Sequence, residues 1–165
     1  MVSVRAESPA IAELESMRSG WIREPAAPPE DPRFLQAEKN SRLSAEAFFR
    51  SRKYIDGWLA HADPQSGLIP RNMKDRYWNG RDAAADNYSF MVLTAAMTDK
   101  PLLEGRLTEM LRADSRLTRR VDNLPDNFLF STQSWQRDSI DRDAMIFDGA
   151  EYAKDGLLYI TEWMG

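Results

Sequence analysis

The sequence predicts an all-α protein of paired helices, on three observations. Apolar residues recur at helical spacing over about five stretches. Amphipathic stretches alternate with one that is apolar all round, as an inner helix between outer ones would be. Almost no run alternates apolar and polar residues as a strand does. Together these predict two layers of helical hairpins.

The elements follow in chain order. Ser8-Pro9 opens a helix, with Ser as N-cap and Pro at the first helical position; Ile11, Leu14, Met17 and Trp21 share its face and Gly20 stops it. Residues 24–33 hold four prolines and no periodicity, so they read as an extended connection. Over 34–62 the pattern is again helical, with Phe48, Ile55, Leu59 and Ala62 as the buried stripe. Asp63-Pro64-Gln65-Ser66-Gly67 turns the chain. Residues 83–97 are nearly all apolar or small, which predicts a fully covered helix. Past the break at 98–101, Leu103, Leu107, Met110, Leu111 and Leu117 mark an outer helix. Residues 121–141 are irregular, a length of loop that is often functional. Asp148 and Glu151 fit a capping box opening a last helix, with Ala150, Ala153, Leu157, Ile160 and Met164 on its inner face.

Composition narrows the function classes. The 165 residues suit one helical domain, 1–165, or an N-terminal piece of a larger one. A net charge of −4, with both signs interspersed, argues against a nucleic-acid partner. No apolar run is long enough for a membrane span, so a soluble chain is expected. Without cysteine there is no thiolate ligand or nucleophile, and with His61 as the one histidine no multi-histidine metal centre. No metal and no cofactor are expected, and the compartment is left open. Asp122-Asn123 with Asp126-Asn127 offers oxygen ligands for Ca²⁺, but lacks the glycine and final glutamate of an EF-hand; a plain loop is the simpler reading.

One stretch concentrates chemistry. Tyr77-Trp78-Asn79-Gly80-Arg81-Asp82 leads through Asp86 and Tyr88 into the apolar helix. It follows Trp58-Leu59-Ala60-His61-Ala62-Asp63 and the turn Ser66-Gly67-Leu68-Ile69-Pro70-Arg71. Over roughly 47–97 this arrangement resembles the six-hairpin (α/α) toroid proteins, many of them glycoside hydrolases or polysaccharide lyases. The resemblance implies part of an (α/α) toroid, an oligosaccharide or polysaccharide as partner, and a cleft at the hairpin loops. A chain of this length has room for about half such a ring. The remainder of a toroid, or self-association, would complete it.

Within the stretch, Asp82 and Asp86 lie four residues apart, on one face of a helix, and could divide acid and base roles. The bland alternative is that Asp82 caps the helix and Asp86 pairs with Arg81 or Arg71. Trp78 and Tyr77 are candidate sugar platforms, against ordinary core packing; for Tyr88 the core is favoured. Arg81, Asn79 and Arg71, with Asn72, are candidate polar contacts to an acidic sugar, against structural pairing with Asp63, Asp75 or Asp82. His61 reads as a cap or packed ring more readily than as a base. A second reading, of another class, is a non-catalytic interaction domain presenting the Trp78 loop and Phe128-Leu129-Phe130 as an exposed patch.

Overall fold

A computed structural model describes residues 31–164. The Ser8-Pro9 helix and most of the proline-rich connection lie outside the described residues. The chain divides into two compact units, Met1–Gly57 and Trp58–Gly165. Among the described residues the protein is mostly helical, with a few very short strands.

Helix α1, Pro32–Ala60, makes up the described part of the first unit and runs three residues into the second. Most of its surface is in water. Along it Glu38 with Arg42, Glu46 with Arg50 and Arg52 with Asp56 are ion pairs one turn apart. Each exposed pair of this kind contributes roughly 0.3–0.5 kcal/mol. Of the expected stripe only Ile55 and Leu59 are buried; Phe48 is exposed and Ala62 half-buried.

The second unit carries everything that positions the candidate site. Strand β1 (Tyr77–Trp78) leads into a π-helical segment, Gly80–Ala85, and then α2, Tyr88–Thr98. Helix α3 runs over 100–117, starting as Lys100–Leu102, widening to a π-helical segment at Leu103–Leu107 and ending as Thr108–Leu117. Asp99 starts it, its side chain accepting from the Leu102 backbone N–H. Leu107, Met110 and Ala113 are its buried face, flanked by half-buried Leu103, Leu111 and Leu117, much as the leucine spacing predicts.

The 121–141 region holds more order than the sequence suggests. Strands β2 (Arg119–Val121) and β3 (Leu124–Pro125) form an antiparallel hairpin whose two turn residues, Asp122 and Asn123, both have positive φ. That is the backbone of a type I′ turn, which Asp and Asn tolerate. Strands β4 (Phe128–Leu129) and β5 (Ser134–Trp135) pair antiparallel, and β4 also pairs with β1, giving the order β1-β4-β5. Phe128 and Phe130 are therefore buried, and the exposed aromatic patch expected there does not form. Arg120 ties the loop down, donating to Asp126 and to the carbonyls of Arg137 and Asp138.

Helix α4 runs over 142–164 as Arg142–Glu151, a π-helical segment at Tyr152–Leu157, and Leu158–Met164. Its N-cap is Asp141, accepting from Ala144 N–H, and not Asp148, which sits two turns inside. The buried face is Met145, Tyr152, Gly156 and Ile160, while Ala150, Ala153 and Met164 face water. Of the expected stripe Ile160 is buried and Leu157 half-buried.

The π-helical segments Gly80–Ala85 and Tyr152–Leu157 pack on each other, and Gly156 is the reason they can. A Cβ there would lie 2.6 and 2.7 Å from Tyr152 ring carbons and 3.4 Å from Ala85 Cα. The ring cannot turn aside easily, since its hydroxyl bonds Asp114 and its edges meet Trp78 and Tyr88. Gly→Ala inside a helix normally gains up to about 1 kcal/mol. Here overpacking outweighs that gain, and Gly156→Ala is expected to lose about 1–3 kcal/mol in a denaturant melt. A variant as stable as wild type would show that Tyr152 is free to move.

Candidate functional site

Asn79 organises the stretch that the sequence singles out. Its side-chain oxygen accepts from Asp82 N–H (3.2 Å) and Ala83 N–H (2.8 Å), so Asn79 and not Asp82 is the cap. Its amide donates to Asp82 Oδ2 at 2.8 Å. Arg71 Nε donates to the same oxygen at 2.7 Å, and its other arm donates to the Tyr77 hydroxyl at 2.8 Å. Asp82 Oδ1 faces Arg81 at 3.6 Å. Burial alone would raise the Asp82 carboxyl, but the Asn79 hydrogen bond and the charges of Arg71 and Arg81 outweigh it and hold it below the usual value.

Gly80 brings a second carboxylate into range. A Cβ on Gly80 would lie 3.2 Å from the Asp148 backbone oxygen and 3.4 Å from Pro125, so α4 and the β2-β3 hairpin both close on this point. Arg81 Nη1 then reaches Asp148 Oδ1 at 3.9 Å. Burial, aided by the charge of Asp82, pushes the Asp148 carboxyl up, against the pull of Arg81 and Arg137. One guanidinium thus faces two carboxylates whose proton affinities move in opposite directions. Its span keeps them within roughly 10 Å, an upper limit that admits glycosidase-type separations of about 5–9.5 Å.

Arg71, Tyr77, Asn79, Arg81 and Asp148, but not Asp82, line a concavity of about 410 Å³. Arg71, Tyr77, Asn79 and Arg81 form one wall; Asn127, Gln136 and Arg137 come from the 121–141 loop, and Phe147 and Asp148 from α4. Arg71 stacks on the Tyr77 ring (5.8 Å) and Arg81 on the Phe147 ring (5.7 Å). Three arginines against one lining aspartate favour an anionic ligand. A larger concavity, about 680 Å³ between residues 59–67 and 106–116, involves none of the expected site residues.

Three expected site residues do not line this pocket: Trp78, Asp86 and Asp82, the last held at its margin by the lining residues Arg71, Asn79 and Arg81. Trp78 is fully buried, its indole N–H donating to the Tyr88 hydroxyl at 3.0 Å, so neither ring face is open to a sugar. Asp86 lies on a separate surface, beside Asp155 and Phe90. The equal-face rule for residues four apart assumes an α-helix, and the intervening segment is π-helical with Asp86 at its end. Asn72 is used locally, bonding Lys74 and Asp75, and His61 does not line the pocket. Asp148 was hidden by its resemblance to a helix cap. Gln136 and Arg137 carried one usable signal, their place in a long polar loop.

No protein-family model, curated protein or solved structure matches the chain.

Proposed function

We propose that the chain processes a carbohydrate bearing an anionic group, gripped in the Arg71–Arg81–Arg137 pocket, with its helix pairs forming part of an (α/α) toroid. The observation that carries this reading is that Arg81 faces both Asp82 (3.6 Å) and Asp148 (3.9 Å), whose proton affinities are opposed. Such divergence is how paired carboxylates separate acid from base. Asp148, the one that holds its proton longer, protonates the leaving glycosidic oxygen. Asp82, held ionised, stabilises the positive charge that develops on the sugar ring, and water adds to the carbon that carries it, its proton restoring Asp148. The arginines neutralise the ligand's own carboxylate or sulfate, and Asn79, Asn127 and Gln136 supply uncharged hydrogen-bonding groups along the wall.

The test is a titration calorimetry comparison of matched neutral and uronic-acid oligosaccharides, with turnover measured on whichever binds. Acidic sugars are expected to bind at least about tenfold more tightly, an advantage that Arg81→Gln removes. Asp148→Asn should retain binding and lose about 100-fold or more in turnover, the usual worth of a general acid. Wild-type turnover should fall as pH rises through the raised Asp148 pKa, because the acid form is then lost. Equal binding of neutral and acidic sugars, or binding of neither, would overturn the proposal.

A further inference from the structure

The all-apolar helix expected from 83–97 is covered on one side only. Tyr88, Met91, Val92 and Ala95 are buried, while Phe90 is 59% exposed and Leu93 half-buried. Beside them, the last segment of α4 leaves Tyr159 52% and Trp163 46% exposed. Helix α2 packs against that segment, and the two leave a groove of about 690 Å³ between their outer faces. Phe90, Leu93, Tyr159 and Trp163 are its apolar surface, and Ala85 and Ser89 complete the wall on the α2 side.

The charged groups that line it have one sign: among the described residues Asp86, Asp155 and Glu162 line the groove and no lysine or arginine does. Lys154 reaches Asp155 at 3.2 Å, but divides its charge with Glu151. Burial, with the fields of Asp82 and Asp155, raises the Asp86 carboxyl; Arg81 partly offsets this and Glu151 adds to it. A two-fold copy of the chain docked here would set this acidic rim against itself, which is unfavourable. A trough with an apolar floor between two packed helices is the kind of surface that helix-in-groove recognition uses.

We propose that this groove docks an amphipathic helix of a partner protein, with apolar anchors facing Phe90 and Trp163 and Lys or Arg residues facing Asp86, Asp155 and Glu162. The site is separate from the arginine pocket and stands whether or not that pocket takes a sugar.

The experiment titrates the full chain with two labelled model helices followed by fluorescence anisotropy. Both carry Leu and Phe anchors at one-turn spacing; one is flanked by Lys and the other by Glu. The Lys helix is expected to bind at least tenfold more tightly, and to weaken with added salt. Trp163→Ala and Glu162→Lys, both at exposed positions, are each expected to reduce that binding fivefold or more while leaving the thermal melt unchanged. Equal binding of both helices would reduce the groove to a merely apolar surface and overturn the proposal. So would binding indifferent to Trp163→Ala and Glu162→Lys, or no binding of either helix. Self-association in sedimentation that Trp163→Ala abolishes and the Lys helix fails to displace would assign the groove to a second copy instead.

Discussion

Trp78→Ala is expected to destabilise the protein by about 3–5 kcal/mol, the range for removing a buried Trp. That is on the order of 10 °C in Tm for a chain of this size. The side chain is fully buried, and its loss acts on three residues together. Trp78 meets Tyr152 edge-on at 6.1 Å, Tyr152 meets Tyr88 edge-on at 6.3 Å, and the indole N–H closes the set on the Tyr88 hydroxyl. The cluster joins β1, α2 and α4, so a cavity there loosens the elements that place Asp82 and Asp148. Trp78→Phe, which keeps much of the volume and loses the N–H, should cost clearly less. Scanning calorimetry distinguishes the two roles considered for this residue. A Trp78→Ala variant that melts within about 2 °C of wild type and loses sugar binding would return the indole to the surface as a platform.

The same residues show what the sequence could and could not disclose. Helices were legible where the burial period stays near 3.6, as on α3, whose leucines fall at or beside its buried face. They were misread where small residues obscured the phase: on α4 the alanines at helical spacing lie on the exposed side and a glycine lies on the buried one. This exchanged the expected Ala150 and Ala153 for Tyr152 and Gly156. Arg71, Tyr77, Asn79 and Arg81, which line the candidate pocket, were legible in sequence because a turn rich in Arg, Asn and Asp stands out locally. Asp148 was not, because its partnership with Arg81 spans 67 positions and depends on the close approach at Gly80. The short strands were missed for a related reason. Two-residue strands have no period to read, and β1-β4 pairing joins residues fifty positions apart.

Asp114 provides the other large effect, and its sign depends on pH. The carboxylate is buried on α3, accepting from the Tyr152 hydroxyl at 2.6 Å and the Thr118 hydroxyl at 2.8 Å, with Arg119 at 3.8 Å. Burial pushes the Asp114 carboxyl up, and the Tyr152 bond, the Arg119 charge and the Thr118 bond only partly offset it. A carboxyl raised on folding binds its proton more tightly in the native state than in the unfolded one. Its contribution to stability is therefore full below the unfolded value of 3.8 and is lost as pH rises through the folded value. Asp114→Asn keeps an acceptor for Tyr152 and cannot ionise. The stability difference between wild type and Asp114→Asn should drift against wild type as pH rises above 3.8, while carboxyls common to both cancel. Asp114→Ala is different. Thr118 can still donate to the Asp114 backbone oxygen at 2.9 Å, but the buried Tyr152 hydroxyl loses its acceptor. An orphaned buried donor costs about 1–3 kcal/mol, and the cavity adds to it, so a loss of roughly 3–4 kcal/mol is expected. Urea melts of the Asn and Ala variants between pH 4 and pH 7 check both statements. A difference between wild type and Asp114→Asn that stays flat across that range would mean that Tyr152, Thr118 and Arg119 fully compensate the buried charge.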